Sequence, residues 1–317
     1  MSVKNPSISI VVPLFNEAPV FGELIKRIDA VVKSLPDLTI EVILVDDGST
    51  DRTTQKIQDI AEHKTEYIGL ILSRNFGHQT ALSAGLSAIT ASDYVMVIDG
   101  DLQDPPEMLH DFLRKSKEGF EIVFGVRKKR KASIFKKLAY WSYYRLISGV
   151  ASIDVPLDSG DFCLMSRNAV NWINQMPEKD RYIRGMRTWI GFSQIGVEYE
   201  RPERFAGETK YSWTLLFKLA FSGLFNFSRK PIQFITKIGV SALIAAALYL
   251  AQTLYAKYVL GTTPSGFAAI VALVVGFSSI QLIALGIIGE YVYRSFELAQ
   301  NRPTFIVKEV IGKSDSI

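Results

Sequence analysis

At 317 residues the chain is too long for one small module and has room for a globular domain of about 200 to 230 residues with something appended. Its 36 basic and 32 acidic residues leave a net charge of only +4, an excess that says little until the positions of the positive charges are considered, and no nucleic acid partner is expected. A lone cysteine, Cys163, excludes an internal disulfide framework and a thiolate metal site, which makes a reducing cytosolic face the natural home.

The opening stretch MSVKNPSISIVVPLF reads as a polar start followed by a strand, interrupted by Pro13, Asn16 and Glu17 too soon for a secretory signal. Apolar runs of strand length at 8–12, 41–45, 68–72 and 94–98 alternate with stretches of helical periodicity. The pattern predicts βα units around a mostly parallel, Rossmann-like sheet, and the runs are continuous, as in strands covered on both faces. Basic residues cluster at Arg127 to Lys131 with Lys136 and Lys137, and again over 201–230, where they suit phosphate or an anionic membrane. Segments 133–148 and 213–227 mix aromatic and aliphatic residues with basic ones, a composition suited to the plane of a membrane interface.

The last third is apolar. Residues 235–255, with Lys237 at the mouth, and the uncharged run 266–289 predict two transmembrane helices. Arg229 and Lys230 precede the pair, Arg294, Arg302 and Lys308 follow it, and the connection carries only Lys257. That bias places both termini in the cytoplasm and the chain in the inner membrane as a multi-pass protein. Gly276, Gly286 and Gly289 suit helix contacts between subunits as well as within one, which leaves room for a homo-oligomer. The expected organisation is a catalytic domain over 1–211, an amphipathic interface segment over 212–231, a two-helix hairpin over 232–293 and a cytoplasmic tail over 294–317.

Ligands of open α/β sheets bind at strand ends, and three of the four runs end in polar clusters. Pro13, Asn16 and Glu17 follow the first, Asp46, Asp47, Gly48, Ser49 and Asp51 the second, and Asp99, Gly100, Asp101, Gln103 and Asp104 the fourth. Asp99 and Asp101, two carboxylates separated by one glycine after a buried strand, repel each other unless a cation lies between them. Oxygen ligands of this kind imply Mg2+ or Mn2+ shared with substrate phosphates.

The set PLFNE (13–17), VDDGSTDRT (45–53), RNFGHQTALSAG (74–85) and DGDLQDPPE (99–107) resembles glycosyltransferase family 2 with its GT-A nucleotide-sugar domain. GVRKKR (125–130), DSGDFCLMSR (158–167), RYIRGMRTWIGF (181–192), RFAGETKYSW (204–213) and GEYVYR (289–294) resemble its polyprenyl-phosphate branch. That branch holds dolichyl-phosphate mannose synthases, the undecaprenyl-phosphate aminoarabinose transferase and the bactoprenol glucosyltransferases of O-antigen modification.

The resemblance implies that Pro13, Asn16, Glu17, Asp47 and Ser49 surround the nucleobase and ribose of a nucleotide-sugar donor. It implies that Asp99, Gly100, Asp101 and Gln103 surround the metal and diphosphate, and that Arg204 and Lys210 lie in a loop able to close over them. Arg127, Lys136 and Lys137 fall where the acceptor lipid phosphate is held, and Asp158 and Asp161 bracket a turn beneath that acceptor. The implied reaction is inverting transfer of a hexose, UDP-glucose ahead of GDP-mannose, to polyprenyl phosphate, with Asp99, Asp101, Asp158 and Arg127 carrying it. His78 reads as structural. A processive polysaccharide synthase would need more spans and a Q-x-x-R-W motif that is absent, and a membrane-tethered nucleotide-sugar sensor is the reading from a different class.

Overall fold

The computed structural model describes residues 7–90, 93–127, 159–200, 230–261 and 266–312. The expected interface segments at 133–148 and 213–227 lie outside these residues, as do Lys136, Lys137, Asp158, Arg204 and Lys210. The described residues divide into two compact units, one holding the chain up to residue 200 together with 303–312, the other holding 230–302.

The first unit opens with the expected repeats: β1 (Ser7–Leu14), α1 (Phe21–Ser34), β2 (Thr39–Asp46), α2 (Thr53–His63), β3 (Tyr67–Leu72), α3 (His78–Ser87) and β4 (Tyr94–Val97). These strands are Val-, Ile- and Leu-rich and buried along nearly their whole length, as continuous apolar runs require of a sheet covered on both faces. α1 buries Leu24, Ile25, Ile28 and Val31 at helical spacing, so one stripe faces the sheet and the rest faces water. A 3-10 turn (Pro106–Met108) leads into α4 (Leu109–Lys117), followed by β5 (Ile122–Arg127), β6 (Ser159–Ser166), α5 (Arg167–Gln175), α6 (Ile183–Trp189) and β7 (Gln194–Tyr199).

One eight-stranded sheet runs in the order β7-β5-β6-β4-β1-β2-β3-β8, where β8 (Val307–Ile311) comes from the end of the chain. β1 pairs in parallel with β2 and β4, β2 with β3, and β5 with β7; β6 is antiparallel to β4 and β5, and β8 to β3. This is a mixed, mostly parallel GT-A sheet. Register decides what shares its carboxyl rim. Leu14 pairs with Asp46, Arg127 with Tyr199, and Val97 with Cys163, so the start of antiparallel β6 reaches the rim where β1 to β5 end. Just past the last pair, Val97 with Cys163, Asp99 and Asp161 come close enough for His78 Nε2 to stand 3.4 Å from one and 3.5 Å from the other.

The second unit consists of α7 (Lys230–Tyr258) and α8 (Phe267–Ala299). Ile270, Val274, Leu282, Ile283, Leu285, Ile288 and Val292 of α8 are all exposed, while Ile280, Ala284, Ile287 and Tyr291 form a half-buried stripe at helical spacing, so the outward face of this helix is apolar. Among the described residues, Gly276–Ala299 is the one segment long and apolar enough to cross a membrane. The expected first span, 235–255, lies within α7 and is not such a segment.

α3 approaches the sheet closely because Gly85 has no side chain: a Cβ there would drive into Val11 Cγ1 and stand 2.9 Å from Val45 Cγ2. Gly85→Leu is therefore expected to destabilise the first unit by about 1–3 kcal/mol through overpacking, read as a lower midpoint in thermal unfolding. An unchanged midpoint would show that α3 does not bear on β1 and β2 in this way.

Candidate active site

The first three loops at the rim are tied to one another by side chains. Asn16 takes up a left-handed conformation (φ 53°), which asparagine tolerates better than most residues. Its Oδ1 accepts from Thr50 N (2.8 Å), Thr50 Oγ1 (3.3 Å) and Asp51 N (3.3 Å). Its own N–H donates to Ser49 Oγ at 3.0 Å, and the Glu17 N–H donates to Thr53 Oγ1 at 3.0 Å. Asp47 fastens the third loop: Oδ1 accepts from Phe76 N at 2.7 Å and Oδ2 from Gly77 N at 2.9 Å. Burial pushes the Asp47 carboxyl up, and the two amides oppose that shift. Gly48 (φ 68°) fits beneath, where a Cβ would stand 2.5 Å from Asn75 N. Asn16, Ser49 and Asp47, expected at the nucleoside, thus spend oxygens on shaping the loops. Pro13 lies at the end of β1, its carbonyl 3.2 Å from where a Gly100 Cβ would be.

The fourth loop holds the paired carboxylates. Asp101 Oδ1 accepts from Gln103 N at 3.1 Å, and Leu102 between them is buried with φ 62°, a strained conformation for a residue with a side chain. Asp99 Oδ1 is buried and has no hydrogen-bond partner. His78 Nε2, at the first residue of α3, stands 3.4 Å from it and 3.5 Å from Asp161 Oδ2. Burial pushes the Asp99 carboxyl up; His78 opposes the shift, and Asp161 and Asp101 add to it.

Asp161 is held by three side chains. Arg184 spans it, Nε to Oδ1 at 3.0 Å and Nη2 to Oδ2 at 3.2 Å, and Gln79 Nε2 donates to Oδ2 at 2.8 Å. Gln79 Oε1 accepts from Ile183 N at 2.9 Å, so one amide joins the start of α3 to the start of α6. Burial raises the Asp161 carboxyl, but Arg184 and His78 outweigh it and hold it well below the usual carboxylate range. Among the expected site residues this rim gathers Asn16, Glu17, Asp47, Ser49, Asp99, Gly100, Asp101, Gln103 and Arg127. It adds His78, Gln79, Asp104, Arg184 and Tyr199, whose roles depend on pairing across strands. Arg184 lies in the segment RYIRGMRTWIGF (181–192) that carries part of the resemblance, which gave it no role of its own.

Crowding around the His78 imidazole works against its charge, yet Asp99 and Asp161 raise its pKa from 6.5 to about 9. The folded chain binds this proton more tightly than the unfolded chain. Its stabilisation is complete below pH 6.5 and disappears as pH rises through 9. Stability to urea is expected to decline across that window in the wild type and to lose that decline in His78→Gln. An equal decline in both would place the titrating group elsewhere.

The family model described as Glycosyl transferase family 2 matches residues 9–172, which contain every strand-end loop described above. Over 305 residues the chain is 39% identical to the uncharacterized glycosyltransferase YkcC of Bacillus subtilis (strain 168), covering 96% of this chain and 94% of that one. It is 33% identical to the prophage bactoprenol glucosyl transferase homolog of Escherichia coli (strain K12), covering 96% and 99%. It is also 33% identical to the bactoprenol glucosyl transferase of Shigella phage SfII, covering 95% and 97%. Among solved structures it is similar to mannosyltransferase PcManGT from Pyrobaculum calidifontis, at TM-score 0.45 and 16% identity over 89% of this chain and 88% of that one. A carboxylate rim inside the matched region, and relatives alike from end to end, place the chain in one family: it belongs to glycosyl transferase family 2.

Proposed function

We propose that the chain transfers a hexose, glucose from UDP-glucose ahead of mannose from GDP-mannose, to the phosphate of a polyprenyl lipid such as undecaprenyl phosphate, with inversion. The observation that carries this reading is Asp99, whose buried Oδ1 has no hydrogen bond and lies 3.4 Å from His78 Nε2, beside Asp101 at the strand end where a donor diphosphate would lie. End-to-end likeness to bactoprenol glucosyl transferases supports the lipid acceptor.

These residues fit Mg2+ or Mn2+. Asp99 Oδ1, which has no hydrogen bond, would serve as a ligand to a hard cation, and Asp101 and Gln103 would supply further oxygens. No group of three or more His, Cys, Asp or Glu is arranged to hold a metal ion among the described residues, so diphosphate and water would complete the shell. Bound there, the cation would neutralise charge on the leaving diphosphate.

The loops built on Pro13, Asn16, Glu17, Asp47 and Ser49 hold the nucleoside. Arg127 with Lys136 and Lys137 holds the acceptor phosphate, Asp158 lies beneath it, and Arg204 and Lys210 close over the donor. An acceptor phosphate oxygen attacks the anomeric carbon as its bond to the diphosphate breaks, and the nucleoside diphosphate leaves. A phosphate monoester, with a second pKa of about 6, is largely dianionic at neutral pH and needs no strong base. Asp161, locked by Arg184, and protonated His78 are poorly suited to be one.

The catalytic domain spans 1–211, the interface segment 212–231, the membrane hairpin 232–293 and the tail 294–317, with both termini cytoplasmic. Connectivity supports a hairpin over a single span. β8 follows α8 in sequence yet pairs with β3 of the catalytic sheet, so the intervening chain leaves and returns to the same side of any membrane. If α8 crosses, a second segment between β7 and β8 must cross too, and α7 is the long helix that adjoins it.

Radiolabelled sugar is expected to pass from UDP-glucose to undecaprenyl phosphate in detergent with Mg2+ or Mn2+, and Asp101→Asn to lower turnover about 100-fold or more. Labelling from GDP-mannose instead would change the sugar and leave the reaction standing. Lipid labelling that Asp101→Asn leaves intact would remove the metal role, and none from either donor would favour a sensor. For the topology, a cysteine placed by Val259→Cys is expected to react with an impermeant thiol reagent from outside intact cells; protection there would rule out the hairpin.

A further inference from the structure

Asp161 is a third carboxylate beside Asp99, and both of its oxygens are taken. Arg184 spans them, Nε to Oδ1 at 3.0 Å and Nη2 to Oδ2 at 3.2 Å, and Gln79 Nε2 donates to Oδ2 at 2.8 Å. The Asp161 side chain is 3% exposed against 24% for Asp99, so these donors stand in for water that the site does not admit. A guanidinium offers donors alone and keeps its charge at any working pH, so Arg184 neutralises Asp161 permanently.

His78 closes the gap toward Asp99. Its Nε2 faces Asp99 Oδ1 at 3.4 Å and Asp161 Oδ2 at 3.5 Å, and ionised carboxylates only accept, so that nitrogen carries a proton. The parts are tied to one another. Gln79 follows His78 on α3, and its Oε1 accepts at 2.9 Å from the N–H of Ile183, the residue before Arg184. Asp99 is held at its backbone: its N–H donates to Asp104 Oδ2 at 3.4 Å, and the Tyr199 hydroxyl donates to Asp104 Oδ1 at 2.8 Å.

Released from this clamp, Asp161 would add a third carboxylate to a cation on Asp99 and Asp101, and an ion so enclosed would bind without a donor. We infer that Arg184, with Gln79 and His78, is a positioning residue that withholds Asp161 from the cation, so that ion and donor diphosphate bind tightly only together. This rests on the reading of Asp99 and Asp101 as cation ligands. It gives the arrangement usual for Mg2+ at reacting phosphates, one or two carboxylates with the substrate supplying the rest.

The test is Mn2+ binding to the full chain in detergent, read from the electron paramagnetic resonance of free Mn2+, with and without UDP and with UDP alone as the blank. In the wild type UDP is expected to tighten Mn2+ binding about 10-fold or more. Arg184→Gln is expected to tighten binding without UDP about 10-fold, the scale on which groups behind metal ligands tune affinity, and so to shrink the effect of UDP. Arg184→Gln combined with Asp161→Asn should return to within about twofold of the wild type, because the gain passes through that carboxylate. His78→Gln opens the side toward Asp99 and should move binding without UDP in the same direction. A merely structural clamp would lower the thermal midpoint and leave that affinity unchanged. No tightening in Arg184→Gln, or in His78→Gln if the first does not fold, would overturn the inference while leaving Asp99 and Asp101 as cation ligands, and so would a gain that survives in the double variant. Mn2+ binding that Asp101→Asn leaves intact, or none even with UDP, would remove the cation reading, and the inference with it.

Discussion

Carboxylates crowded onto one rim of the sheet are the constraint to which the rest of the structure answers. Asp47, Asp99, Asp101 and Asp161 stand on strand ends within a single network, and burying like charges together is unfavourable unless each finds a donor or a cation. The fold answers each differently. Asp47 takes two backbone amides, Asp101 takes the amide of Gln103, and Asp161 takes a guanidinium across both oxygens with the amide of Gln79. Asp99 keeps one oxygen without a hydrogen bond, and protonated His78 is the nearest counter-charge. The imbalance is thereby concentrated at one atom.

β6 separates two polar networks because successive residues of a strand face opposite ways. Asp161 turns toward α3 and α6, where His78, Gln79 and Arg184 meet it. Phe162 turns toward α4, packing on Phe112 with centroids 4.9 Å apart and on Tyr199. One network settles the charge next to Asp99, and the other supports its backbone from beneath through Asp104. Both therefore converge on one residue from the two sides of the sheet.

Arg187, one helical turn beyond Arg184, shows the opposite situation. It is fully buried, its guanidinium has no hydrogen-bond partner, and it stacks over Phe124 with 4.9 Å to the ring centroid. A cation over an aromatic face recovers part of its lost hydration, more so in a dry interior. Arg187 also lies near the Cys163 thiol, which burial pushes up and Arg187 pulls back down. The glycines show sharper logic: Gly48, Gly85 and Gly125 each lie where a Cβ would collide with a neighbouring element, and each collision would move a loop, helix or ring that carries the site.

The sequence by itself determined the repeating βα core, because continuous apolar runs of strand length leave few other ways to bury themselves. It also determined which loops carry polar chemistry, because ligands of parallel sheets gather at carboxyl ends, and Asp99 with Asp101 stood out without coordinates. The antiparallel strand β6 was not legible: DSGDF also reads as a helix cap, and only pairing of Val97 with Cys163 brings Asp161 beside Asp99. The same holds for β8, which reads as tail until it pairs with β3, and for Tyr199, which looks like any core aromatic until register sets it beside Arg127. Local patterns specify strands and their ends, because periodicity and turn chemistry act over a few residues. Which side chains meet across strands is decided by register between distant segments, and that belongs to the tertiary structure alone.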